Sequence, residues 1–136
     1  MSFDKSLETE IKDILSQGPI AGLAGGEELA SSSGETFPVY DPGSGEKLAD
    51  VHNLQAEDVD RAVELAGKAF ENAQWANLPV NERCVYLHRL ADEVENRKPL
   101  ISHLESMDCG KILTQAEDDV QNFIDTMRYF ADLAQN

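Results

Sequence analysis

The chain is short of basic residues. Its 136 positions carry 11 Lys and Arg against 26 Asp and Glu, a formal net charge of -15. The deficit runs along the whole length instead of collecting in a tail. Phosphate backbones and anionic bilayer surfaces repel such a chain, which excludes nucleic acid and membrane surfaces as expected partners. An acidic excess with few lysines suits a salt-rich cytoplasm, where ions screen self-repulsion. Long apolar runs are also missing. No stretch approaches the roughly 20 residues of a membrane-crossing helix, and the N-terminus lacks a basic segment followed by an apolar signal core. A cytoplasmic location is expected.

Only two cysteines occur, Cys84 and Cys109. Their spacing supplies neither a disulfide framework nor a four-ligand zinc pattern, so free thiols are expected. A glycine-rich phosphate turn between a strand and a helix is absent as well. The length suffices for one domain with a buried core.

The most organised stretch is Asn81 to Gly110, which reads as two consecutive amphipathic helices. Cys84, Leu87, Leu90, Ala91 and Val94 recur every three or four residues and share a face. After the charged break from Glu95 to Lys98, Pro99 suits a first helical turn. Leu100, Ile101, Leu104 and Met107 then form a second stripe, with Gly110 placed to cap it. Back to back, these stripes predict a helical hairpin.

Ser2 to Gln17 predicts an amphipathic helix through Leu7, Ile11, Ile14 and Leu15. It reads either as a terminal helix lying on the domain or as a docking helix for a partner groove. The Gly/Ala/Ser-rich stretch that follows is expected to be flexible, with Gly25-Gly26 as the turn of a short hairpin between Ile20 to Ala24 and Glu28 to Ser31. Thr36 to Tyr40 and Glu46 to Val51 predict a second hairpin around Asp41-Pro42-Gly43-Ser44-Gly45, with Pro38 confined to an edge. Glu57 to Glu71 predicts a helix with the stripe Val59, Ala62, Val63, Ala66 and Phe70, and Trp75 beyond it reads as a packing anchor. A last helix is expected to open on a capping box of Thr114 and Glu117 and to continue through Val120, Phe123, Ile124, Met127, Phe130 and Ala131. Its stripe runs almost to Asn136, the pattern expected of a chain cut between elements. The expected fold class is α+β, mainly helical: an N-terminal helix, one or two short hairpins, then four helices.

Two groups of residues invite a chemical reading. Cys84, His88 and Asp92 lie at i, i+4, i+8 on one helix side, like a nucleophile, base and orienter or a weak metal site. Side chains so placed run parallel instead of converging on a substrate atom, so core and surface roles are expected. Cys109 stands at a helix C-terminus beside Asp108, where dipole and carboxylate both oppose thiolate formation and Lys111 only partly offsets them. His52 and His103 have no partner legible in the sequence.

Six motifs occur in one order: SSSGETFPVYDPGSGE at 31–46, AEDVDRAV at 56–63, Trp75 with Leu78-Pro79, Glu82-Arg83 with Leu87 and Arg89-Leu90-Ala91-Asp92, LESMDCGK at 104–111, and RYFA at 128–131. Together they resemble the aldehyde dehydrogenase superfamily over about residues 25–134. The resemblance implies the opening part of that family's Rossmann-like cofactor domain. Residues 1–17 would be an added amphipathic helix, 18–34 a flexible stretch, and 35–136 the N-terminal part of an incomplete domain. Two departures stand out. Leu23 to Leu29 lacks the large residue pair usual around the hairpin glycine, which predicts a loose hairpin. Gln55 replaces the usual Ser or Thr before the helix at Glu57, which predicts a weak cap.

In that family, aldehyde oxidation uses a nucleophilic Cys, a water-activating Glu, an oxyanion-binding Asn and a glycine turn at the dinucleotide phosphates. All lie beyond the matching segment. No catalytic and no cofactor-binding residue is therefore assigned to this chain, and NAD or NADP is implied only for the complete fold. One ligand set does carry over. The resemblance implies a monovalent cation site at Asp108 with the backbone carbonyls of Val39 and Tyr40, against the alternative that Asp108 simply caps or solvates its helix end. The leading expectation is the N-terminal portion of an NAD(P)-dependent aldehyde dehydrogenase, inactive alone and paired with the missing remainder or a complementary polypeptide. The alternative is a non-enzymatic helical interaction or docking module derived from that family.

Overall fold

The computed structural model describes residues 5–135. Its elements are α1 (Lys5–Leu15), β1 (Gly22–Ala24), β2 (Glu27–Leu29), β3 (Thr36–Tyr40), β4 (Lys47–His52), α2 (Ala56–Asn72), α3 (Val80–Asn96), α4 (Lys98–Cys109) and α5 (Leu113–Leu133). This is the mainly helical α+β class expected, with two hairpins and four helices after α1. The start of the first helix expected from Ser2 lies outside the described residues. Where one domain is expected, the chain forms two compact units: Lys12–Ala76, and Asn77 onward with the N-terminal residues up to Ile11. Each unit has its own buried residues.

In the Lys12–Ala76 unit, β1 and β2 pair antiparallel from Gly22 opposite Leu29 to Ala24 opposite Glu27. The turn between them needs positive φ at both residues, which Gly25 (62°) and Gly26 (83°) supply without a Cβ penalty. β3 and β4 pair antiparallel from Thr36 opposite His52 to Tyr40 opposite Lys47, with an irregularity at Val39/Tyr40. Pro38 is tolerated because β3 is the edge of its ribbon. Asp41 shapes the connecting loop by accepting the Gly43 N–H at 2.7 Å. Ile20 adds a parallel bridge: its N–H donates to Asp50 O, and the His52 N–H donates to Ile20 O.

Helix α2 turns an unexpected face inward. Asp58 is buried and Ala62 and Leu65 are half-buried, whereas Val59, Val63 and Phe70 of the apolar stripe are 52%, 66% and 82% exposed. Hydropathy identifies an apolar face, but the partner available decides which face is covered. Here the Asp58 carboxylate, accepting the Ser32 and Gln55 N–H groups, orients the helix. The helix ends at Ala73, whose φ of 53° is left-handed. Trp75, expected as a packing anchor, is exposed.

In the second unit the organising element is α5. Ala91 and Ile124 are fully buried and Val120 nearly so, with Val94, Ile101 and Met127 packed around them. Removing the Ile124 side chain beyond Cβ would cost about 2–5 kcal/mol in lost transfer energy and cavity. α5 packs along both α3 and α4, which touch each other little. The helical hairpin expected of α3 and α4 is thus replaced by two helices flanking a third. The small residues Ala91, Ala116 and Ala131 are all buried and permit that close approach. Leu90, expected in the core stripe, is exposed, while Cys84 is buried as expected.

The charged break narrows to Arg97, which ends α3 and precedes α4, and Pro99 sits in the first turn of α4. Gly110 caps α4 at φ 70°. The capping box of Thr114 and Glu117 does not form. α5 starts from Ile112, whose carbonyl accepts the Gln115 and Ala116 N–H groups, so Thr114 falls inside the first turn, beyond the cap position.

Candidate functional site

The residues implied for a cation are split between the units. Val39, half-buried, and Tyr40, exposed, lie on β3 at the ribbon's irregular step. Asp108 is exposed on the last turn of α4 in the other unit. Among the described residues, no group of three or more His, Cys, Asp or Glu is placed to hold a metal ion.

The trio Cys84, His88 and Asp92 is not brought together. Cys84 is buried in the second unit, whereas His88 and Asp92 both reach across to α5. His88 Nε2 lies 3.0 Å from Asp132 Oδ1, and Asp92 Oδ1 accepts from Arg128 Nη2 at 2.7 Å. No nucleophile faces a base. Cys109 is exposed at the end of α4. His103 Nδ1 lies 2.7 Å from the Pro99 carbonyl one helical turn earlier, and His52 Nδ1 is buried without a hydrogen-bond partner among the described residues.

What the sequence does not reveal is a pair of ion bridges fastening α5. Arg128 Nη2 donates to Asp92 Oδ1 and to Glu95 Oε2, each at 2.7 Å. Glu95 foremost, then Asp92, raise the guanidinium's proton affinity above its ordinary value, and Arg128 in turn holds Glu95 below its own. Lys111 Nζ bridges Asp119 of α5 and Glu105 of α4, and Asp119 and then Glu105 raise its proton affinity likewise. Both cations sit between helices and are occupied by protein carboxylates, so they act as struts and leave no free charge for a substrate. An apolar cleft of about 380 Å³ lies beside the Lys111 bridge, lined by Val94, Ile101, Val120 and Phe123 with Glu105 and Asp119. It holds no nucleophile and no general base facing one.

The dinucleotide fails the same test. Among the described residues the one passage from strand to helix is β4 to α2 through Asn53-Leu54-Gln55, which has no glycine. A phosphate cradle needs backbone N–H groups left open at that turn. Here the Gln55 N–H donates to Asp58 Oδ2 at 2.8 Å, and Asp58 also accepts the Ser32 N–H. The carboxylate already fills the place an anion would take. The turn at Asn53-Leu54-Gln55 therefore offers no open phosphate cradle.

Among the described residues, Cys84, His88 and Asp92 do not converge, and likeness to known proteins supplies the next observation. Residues 29–136 match the family model described as "Aldehyde dehydrogenase family". The chain belongs to the aldehyde dehydrogenase family. It is 39% identical over 127 residues to mitochondrial benzaldehyde dehydrogenase of Antirrhinum majus, covering 93% of this chain and 24% of that protein. To retinal dehydrogenase 2 of Homo sapiens it is 39% identical over 103 residues, covering 74% of this chain and 20% of that one. Among solved structures, betaine aldehyde dehydrogenase from Staphylococcus aureus in complex with NAD+ superposes with a TM-score of 0.87 at 25% identity, over 96% of this chain and 26% of that one. The NAD+ complex of aldehyde dehydrogenase from Bacillus cereus gives 0.83 at 31% identity, over 97% and 26%. The chain thus spans about a quarter of the length of these aldehyde dehydrogenases. Among its described residues, no helix is long and apolar enough to cross a membrane.

Proposed function

We propose that this chain is the N-terminal portion of an NAD(P)-dependent aldehyde dehydrogenase, inactive alone and competent when joined to the missing remainder of the family fold or to a complementary polypeptide that carries it. The observation that carries the reading is the outward apolar face of α2: Val59, Val63 and Phe70 form a contiguous stripe at helical spacing that the unit itself leaves uncovered. Combined with a match to about a quarter of each relative's length, that face is a surface left for the remainder of the fold. NAD or NADP and the aldehyde would bind on that remainder. In the completed fold Asp108 and the carbonyls of Val39 and Tyr40 would offer hard oxygen ligands to a monovalent cation. The expected location is the cytoplasm.

The test is co-expression with the remaining three-quarters of a family member, following NADH formation from NAD and a simple aldehyde. Activity that appears only when both pieces are present supports the reading. An inactive but stable complex argues for the docking-module alternative, and turnover by the isolated chain would refute the claim that it is incomplete.

A further inference from the structure

We propose that folding of this chain is switched by ionic strength, through non-specific screening of carboxylates that the fold draws together. The second unit shows the arrangement most plainly. Arg128 is shared by Asp92 and Glu95, and Lys111 by Glu105 and Asp119. Each bridge seats two carboxylates on one cation and so retains a negative charge after pairing. On α5, Arg128 is the one basic residue against Glu117, Asp118, Asp119, Asp125 and Asp132. Glu95 is crowded by Asp92 and Asp125, both of which oppose its charge. In the Lys12–Ala76 unit the basic residues are Lys12, Lys47, Arg61 and Lys68, and acidic residues outnumber them in the same span. Folding gathers these charges within a radius that unfolding relaxes.

Two effects of salt compete. Screening weakens the bridges, and it also weakens the repulsion among unpaired carboxylates. The bridging cations are partly buried, Arg128 at 32% and Lys111 at 30% exposure, so salt screens these pairs less than it screens carboxylates in open solvent. The repulsion arises from an excess of fifteen negative charges, and its range contracts from about 30 Å at ~0.01 M salt to about 3 Å at ~1 M. Relief of repulsion therefore wins, and salt stabilises the fold. This inference does not depend on the dehydrogenase reading, because its readout is helicity and not turnover.

The experiment is thermal unfolding of the full chain followed by far-ultraviolet circular dichroism, in NaCl, in choline chloride at equal ionic strength, and in sucrose. The midpoint should rise by about 10 °C between ~0.01 and ~0.3 M of either salt and then flatten as the Debye length shrinks below the charge spacing. Sucrose should not reproduce the steep early rise. The variant Asp125→Asn, which removes one of the two charges crowding Glu95, should melt higher in low salt and respond less. A midpoint that is flat or falls with salt overturns the proposal, as does helicity indifferent to salt whether the chain is folded or not. A rise produced by sodium and not by choline also overturns it, because that would be a site for one ion.

Discussion

The carboxylate of Asp58, in the first turn of α2, accepts the backbone N–H of Ser32 at 3.1 Å from both of its oxygens. The same carboxylate takes the Gln55 N–H at 2.8 Å and the Ser32 hydroxyl at 3.2 Å. It therefore completes a capping box with Gln55 at the helix start and pins a segment 26 residues earlier to it. Nearby, the Ser31 hydroxyl donates to the Asn53 carbonyl at 2.7 Å, so the serine run is part of this unit's framework.

Asp58 should make the Lys12–Ala76 unit acid-sensitive. Its carboxyl is held below the ordinary value, chiefly by the Gln55 N–H and next by the Ser32 N–H. A depressed folded-state pKa stabilises fully above the unfolded value and is lost as pH falls through the folded one. Melting midpoints of wild type and Asp58→Asn should therefore differ at neutral pH and converge below about pH 4. Asp58→Ala, which removes the acceptor altogether, should melt lower than both across the range. Curves that stay parallel through the acid range would show that the charge is irrelevant.

Ala73 closes α2 in the left-handed region at φ 53° and donates its N–H to Phe70 O at 3.1 Å. A Cβ there is strained, and glycine adopts the conformation freely. Ala73→Gly should raise stability by roughly 0.5–1 kcal/mol in a urea unfolding series. A loss of similar size would mean that glycine's extra freedom in the unfolded chain outweighs the strain relieved.

Ser102 is fully buried on α4, and its Oγ has no hydrogen-bond partner among the described residues. An unsatisfied buried hydroxyl carries a desolvation penalty without compensation. Ser102→Ala should therefore stabilise the second unit by about 1 kcal/mol, seen as a higher urea midpoint with unchanged slope. Destabilisation would reveal an ordered water or a relaxed partner at that hydroxyl.

Val63 tests the outward face of α2. It is 66% exposed, so Val63→Asp should leave the melting of the isolated chain within about 0.5 kcal/mol of wild type. The same variant should abolish complementation by the remainder of the fold, where a charge would be buried without a partner. Loss of folding in the isolated chain would show that the face is already covered.

Much of the fold was legible because it rests on local rules. The period of Cys84, Ala91 and Val94 announces α3, Pro99 and Gly110 bracket α4, and Gly25-Gly26 demands a tight turn. Capping was legible only in part. Thr114 and Glu117 have the spacing of a capping box, yet α5 starts from Ile112. The cap that does form on α2 uses Asp58 and reaches back to Ser32, a long-range contact that no spacing rule encodes.

The amino-acid sequence by itself determined which segments are helix and which are hairpin, because backbone propensity and hydropathic period act over a few residues. It also determined the charge excess and, through six ordered motifs, the family. Tertiary structure alone decided which face of each element is covered. The α2 stripe points outward, α5 is the hub that α3 and α4 flank, and the acidic side chains of α3 and α4 share Arg128 and Lys111 with α5. Burial and ion pairing depend on what lies opposite in space, and distance along the chain carries almost no information about that.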